Sequence, residues 1–119
     1  MSEGTETRQG VRHLPPGEGK AVWVVGDTYT FKAIGEETGG AFSLVEGTVA
    51  PQAGPPPHIH LREDEFYYVL EGELEVLDGE RTFTASTGSY VYIPRNTLHA
   101  FKNVRETPAR VLIGFTPAG

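Results

Sequence analysis

The sequence has no cysteine. Disulfides, thiolate nucleophiles and cysteine-ligated zinc are therefore excluded, and a reducing cytoplasm is the expected compartment. Positive charge is scarce: 10 Lys and Arg against 16 Asp and Glu leave a net charge of −6. No basic stripe is available to neutralise phosphates, so neither nucleic acid nor an anionic membrane surface is an expected partner. Long apolar runs are missing, and with them any candidate membrane span. The opening residues, MSEGTETRQG, carry no apolar stretch of the kind a secretory leader needs. Helical periodicity is missing too, since no segment repeats its apolar residues at three- and four-residue spacing.

What is present is punctuation. There are 15 Gly and 9 Pro in 119 residues, and between them lie short alternating or wholly apolar segments of the kind that form strands. These are AVWVV, YTFKAI, AFSLVEGTVA, FYYVL, ELEVL, RTFTA, SYVYI, LHAFKNV and ARVLIGFT, and about ten strands are expected in all. Asp78-Gly79 has the chemistry of a hairpin turn. The slip in alternation near Glu46-Gly47 suggests a bulge. Residues 1–19 are polar and rich in Gly and Pro, which reads as a flexible N-terminal arm, and residues 20–119 as one all-β domain, a sandwich or barrel that hides its edges. The arm and the AVWVV strand that follows it point to a homodimer.

Chemistry concentrates in GPPPHIHLREDEFYYVLEG. His58 and His60 stand at i and i+2 of an extended segment, so both imidazoles face the same way. Glu65 follows a charged turn and opens the next strand. His99 comes from a distant strand, after PRNTL. Three imidazoles and a carboxylate suit one divalent transition metal, Ni, Fe, Mn, Co, Cu or Zn, and the residue types do not choose among these. Four protein ligands leave room for a substrate atom, which separates a catalytic site from a closed structural one. Glu65 is thus a candidate for both ligand and general base. Glu63 and Asp64 read as a solvated turn, and His13 as a lone histidine of the arm. Tyr67 and Val69 share the face of Glu65, and Phe101 that of His99. With Phe42, Trp23 and Tyr92 they make a candidate wall for a flat aromatic substrate.

The two motifs resemble those of the cupin superfamily. Its first, G-x5-H-x-H-x3,4-E-x6-G, is matched by His58, His60, Glu65 and Gly72. Its second, G-x5-P-x-G-x2-H-x3-N, is matched by Gly88, Pro94, His99 and Asn103. Gln52 replaces the leading glycine of the first and Asn96 the inner glycine of the second; Asn tolerates the left-handed conformation better than most residues. The resemblance implies a jelly-roll β-barrel around a metal. A finer resemblance, to single-domain quercetin 2,3-dioxygenase-like cupins, rests on YTFKAIGEETGGAFSLVEGTVAPQAGPPPHIH, REDEFYYVLEGELEV and PRNTLHAFKNV. It implies a dioxygenase that opens a flavonol or similar enolic ring with O2, Glu65 removing the substrate proton. Two other readings stand beside it: a metal-dependent isomerase, cyclase or decarboxylase that uses no O2, and a non-catalytic cupin that binds a small ligand.

Overall fold

The short segments fold as strands that stack in two layers. The computed structural model describes residues 10–24 and 26–119. Among them are β1 (Lys20–Val24), β2 (Asp27–Ala33), β3 (Ser43–Val49), β4 (Asp64–Glu71), β5 (Glu73–Asp78), β6 (Arg81–Ser86), β7 (Tyr90–Ile93), β8 (His99–Lys102) and β9 (Ala109–Thr116), with one helical turn, α1 (Gly35–Thr38). The larger sheet runs β1-β2-β3-β9-β4-β7, and the smaller β6-β5-β8. Every pairing is antiparallel. Alternation along the strands sends one set of side chains between the sheets. From β4 these are Glu65, Tyr67 and Val69; from β5, Leu74 and Val76; from β7, Val91 and Ile93; and from β9, Ala109, Val111 and Ile113. The result is the expected all-β jelly roll.

The smaller sheet is extended by a segment that is not a regular strand. Residues 52–58 run antiparallel to β8 along its free edge. The Gln52 N–H donates to Asn103 O (2.6 Å), the Asn103 N–H to Ala53 O (2.9 Å), and His58 and His99 exchange both backbone bonds (3.0 Å each). Prolines 55, 56 and 57 have no N–H to offer a ladder, so pairing lapses between the two ends of this segment and resumes at His58. Gly54 (φ 152°) lies where a Cβ would collide with the Phe101 carbonyl, so only glycine lets the two backbones come this close. Gln52 (φ 66°) and Asn96 (φ 70°), the two positions where the motifs want glycine, both take the left-handed conformation.

The expected bulge lies elsewhere. Register is continuous through Glu46 and Gly47 against β9, and the shifts lie between Phe31 and Ala33 and between Val69 and Glu71. The Tyr29 ring lies so close over Gly47 that an added Cβ would come within 2.9 Å of it, so this glycine makes room for a ring and not for a bulge. The expected arm falls partly outside the described residues. Its described part, residues 10–19, is exposed but tied back: the Arg12 guanidinium pairs with Glu37 (3.0 Å), and Lys32 Nζ donates to Glu18 O (2.8 Å).

Candidate metal centre

His58 and His99 face each other across the backbone bridge between the proline segment and β8. Their ring centroids lie 4.3 Å apart. His60 is two residues on, 4.9 Å from His58. Its backbone carbonyl accepts from the Asn96 N–H at 2.7 Å. The left-handed turn before β8 is thereby fastened to the extended segment that carries the other two histidines. Glu65 enters from β4 on the opposing sheet and is almost fully buried. One ligand atom from each of His58, His60, Glu65 and His99 lies within 4.8 Å of the others, and the four can hold a metal ion.

The tautomers are set by what lies behind each ring. His58 Nδ1 is 2.8 Å from Pro56 O, and His99 Nδ1 is 2.8 Å from Thr97 O. A carbonyl only accepts, so both Nδ1 atoms carry hydrogen and both Nε2 atoms are the ones turned to the centre, each able to ligate once it carries no proton. His60 Nδ1 has Glu63 Oε1 behind it (3.4 Å), and its Nε2 faces Glu65 Oε1 (3.4 Å). His99 Nε2 lies 2.6 Å from the same Glu65 oxygen. Burial disfavours the His99 cation, but the hydrogen bond to Glu65, the Thr97 carbonyl and the Glu65 charge outweigh it, and its pKa rises. Proton and metal therefore compete for one carboxylate–imidazole pair.

Glu63 and Asp64 are not the solvated pair the sequence suggested. Glu63 backs His60, in the arrangement by which an outer carboxylate orients a ligating imidazole. Asp64 accepts from the Arg95 backbone N–H (2.9 Å) and from its guanidinium (3.1 and 3.4 Å). These bonds hold its carboxyl well below the usual range, at about 2. The i, i+3 spacing of His60 and Glu63 was visible in the sequence; the role of Asp64 was not, because Arg95 is a distant residue.

Beside the four ligands opens a cavity of about 350 Å³, lined by Val22, Val24, Tyr29, Phe31, Val45, Pro55, Phe101, Ile113 and Phe115 together with His58, His60 and Glu65. The Phe115 ring meets His60 edge-on at 5.3 Å. Of the wall residues expected from sequence, Phe101 lines this cavity. Tyr67 and Val69 point inward but lie beneath it in the core. Tyr67 packs edge-on against Phe101 (5.3 Å), and its buried hydroxyl has no partner. Burial first, then the charges of Glu65 and Tyr29, push its pKa up. Trp23, Phe42 and Tyr92 are elsewhere. Trp23 is 77% exposed, because alternation on β1 turns Val22 and Val24 to the cavity and Trp23 away. Phe42 precedes β3 at the surface and lines a shallow hollow with Arg12 and Leu44. Tyr92 alternates outward between buried Val91 and Ile93, and borders a separate hollow behind His99. Tyr29 and Phe31 were missed, although the alternation of YTFKAI already put them on one face. His13 is exposed and outside the cluster.

A family model described as "Cupin domain" matches residues 45–115. Over 100 residues the chain is 33% identical to a quercetin 2,3-dioxygenase of Aspergillus japonicus, a match that takes in 77% of this chain and 28% of that protein. The chain spans about a third of the length of the curated relatives it matches first. Among solved structures, KdgF from a Halomonas species superposes with a TM-score of 0.81 at 22% identity, over 93% of this chain and 96% of that one. The polyketide cyclase RemF of Streptomyces resistomycificus gives 0.78 at 24% identity, over 90% and 80%. At such identities the two structures speak for the fold alone.

Proposed function

The chain belongs to the cupin family, and on that premise we propose that it is a metal-dependent dioxygenase acting on a flat, uncharged phenolic or enolic molecule of flavonol type. The metal would be held by Nε2 of His58, His60 and His99 and by a carboxylate oxygen of Glu65. The observation that carries the substrate class is the cavity wall. Among the described residues that line it there is no Lys or Arg, and the non-ligand lining is apolar except for Tyr29. A small dianion or an acidic sugar has its charge met by cationic side chains when it leaves water, and this cavity has none to offer. Its size suits a molecule of two or three fused or linked rings.

A bound divalent metal supplies Lewis acidity and a path for electrons between an enolate and O2. The protein supplies the rest. Glu65, buried beside the Nε2 atoms, takes the proton of the substrate hydroxyl. Phe101, Ile113 and Phe115 hold the ring plane and keep water from the enolate, where low polarity strengthens every charge interaction. Glu63, through His60, keeps one imidazole turned toward the centre. The relative named a quercetin 2,3-dioxygenase supports the reaction class. The same apolar cavity also admits a cyclase, isomerase or decarboxylase that uses no O2, or a binding protein. Oxygen-electrode assays of metal-loaded protein with flavonols test the proposal. Oxygen consumption matched to substrate loss is expected; turnover that persists under nitrogen would replace the dioxygenase with the second reading, and binding without turnover with the third.

We also propose a cytoplasmic homodimer. The free edges of β1 and β7 and the exposed Trp23 beside Val24 support self-association.

A further inference from the structure

Asp27 opens β2 and is 4% exposed. Its Oδ1 accepts from the Ala50 N–H (2.9 Å) and its Oδ2 from the Tyr29 hydroxyl (3.3 Å). A carboxylate this far from water is costly unless its partners are part of a purpose, and none of the four ligands touches it. Tyr29, two residues on, shares its inward face. The glycine at position 47 gives the Tyr29 ring the room to lie against β3, and the ring reaches the cavity that the ligands face. Tyr29 is the one side chain on that wall, among the described residues, that carries a polar atom and is not a candidate ligand.

The hydrogen bond decides what Tyr29 can offer. Its proton is turned to Asp27. Burial, then the Asp27 charge and the hydrogen bond, push its pKa up to about 12, so it stays a neutral phenol throughout the working range of the protein. With its proton committed to Asp27, what the phenol oxygen still offers a ligand is an acceptor. An acceptor on an otherwise apolar wall discriminates for a ligand that brings a donor and against one that does not.

We propose that Tyr29, held by Asp27, is a specificity residue that accepts a hydrogen bond from a second hydroxyl of the substrate, distal to the oxygen that goes to the His58, His60, Glu65 and His99 end. This rests on the proposed reading of the cavity as a site for flat phenols, and narrows that class to polyhydroxylated ones. Tyr29 acts in binding and takes no part in proton transfer.

The test is equilibrium binding without oxygen, on metal-loaded protein, of quercetin and of the flavonol that lacks its distal hydroxyls. The unaltered protein is expected to favour quercetin by about tenfold, the scale of one well-placed hydrogen bond. Tyr29→Phe removes one oxygen and keeps the ring. It is expected to bring the ratio close to one, through weaker quercetin binding, with metal content and affinity for the simpler flavonol within about twofold of the starting values. If Tyr29→Phe keeps the full preference, or if the unaltered protein shows none, the proposal is overturned while the phenol-site reading stands. If neither flavonol binds, that reading fails and this proposal with it. Should Tyr29→Phe not fold, Tyr29→Met carries the test, since it also removes the phenol oxygen: a reduced preference supports the proposal and an unchanged one overturns it.

Discussion

At the scale of single residues, the unequal support of the three histidines makes the clearest predictions. His58 and His99 are backed by neutral carbonyls and His60 by the Glu63 carboxylate. His58→Ala, His60→Ala and His99→Ala should each abolish tight metal binding in dialysed protein, while His13→Ala should leave it intact. Glu63→Gln should lower metal affinity by about 10- to 100-fold, the usual cost of an outer carboxylate, measured by competition with a chelator. Glu65→Gln should keep part of the metal but lose about 10² to 10⁴ in turnover per bound metal, because it removes the base. If Glu65→Gln turns over normally per metal, Glu65 is a ligand only. Acid should also strip the metal. The His99 pKa is raised, so its proton begins to compete at a higher pH than an ordinary histidine's, and apparent affinity should fall as pH drops through that raised value. The grouping of the four candidate ligands was legible because their spacing is local or carried by a distinctive turn. The Glu63 contact was within reach of the same logic. Tyr29 was not singled out, since a tyrosine in an alternating strand looks like any half-buried aromatic until the opposing layer is known.

At the scale of elements, two backbone devices bring the histidines together: the proline segment along β8 and the turn before it. Gly54→Ala forces a Cβ against the Phe101 carbonyl at a left-handed φ, and should destabilise the fold by about 1–3 kcal/mol and lower metal affinity with it. Asn96→Ala keeps the turn but adds left-handed strain of about 1 kcal/mol, readable as a lower urea midpoint. The Asp64–Arg95 link adds a pH signature. Its folded pKa, about 2, lies below the ordinary 3.8, so its contribution is present above the ordinary value and lost as pH falls toward 2. Asp64→Asn should therefore lower the denaturant midpoint at neutral pH and converge with the parent protein near pH 2; an unchanged gap at both would mean the link does not stabilise. Strands and turns were readable because alternation and Gly/Pro punctuation are local. The pairing of residues 52–58 with β8 was not, since three prolines hide a ladder whose two ends lie about β8. The bulge was misplaced because Gly47 answers to Tyr29 across the sheet and not to its own neighbours.

At the scale of the molecule, β1 and β7 are the outer strands of the larger sheet, and β1 exposes Trp23 while its Val22 and Val24 wall the cavity. A homodimer is expected, with a sedimentation mass twice the 12.9 kDa of the chain; a mass of one chain at micromolar concentration would contradict it. If dimerisation covers β1, Trp23 emission should shift to shorter wavelength as concentration rises. The order of the site along the chain has a consequence for how such a protein changes over generations. His58, His60, Glu65 and His99 lie between positions 58 and 99, whereas every other described residue lining the cavity lies before 58 or after 99. On the proposed reading, reactivity and selectivity thus occupy separate stretches of the coding sequence. Recombination or drift in the outer stretches can retarget the pocket while the inner one keeps its metal, and a library confined to positions 22, 24, 31, 45, 113 and 115 would explore new substrates with the ligands untouched.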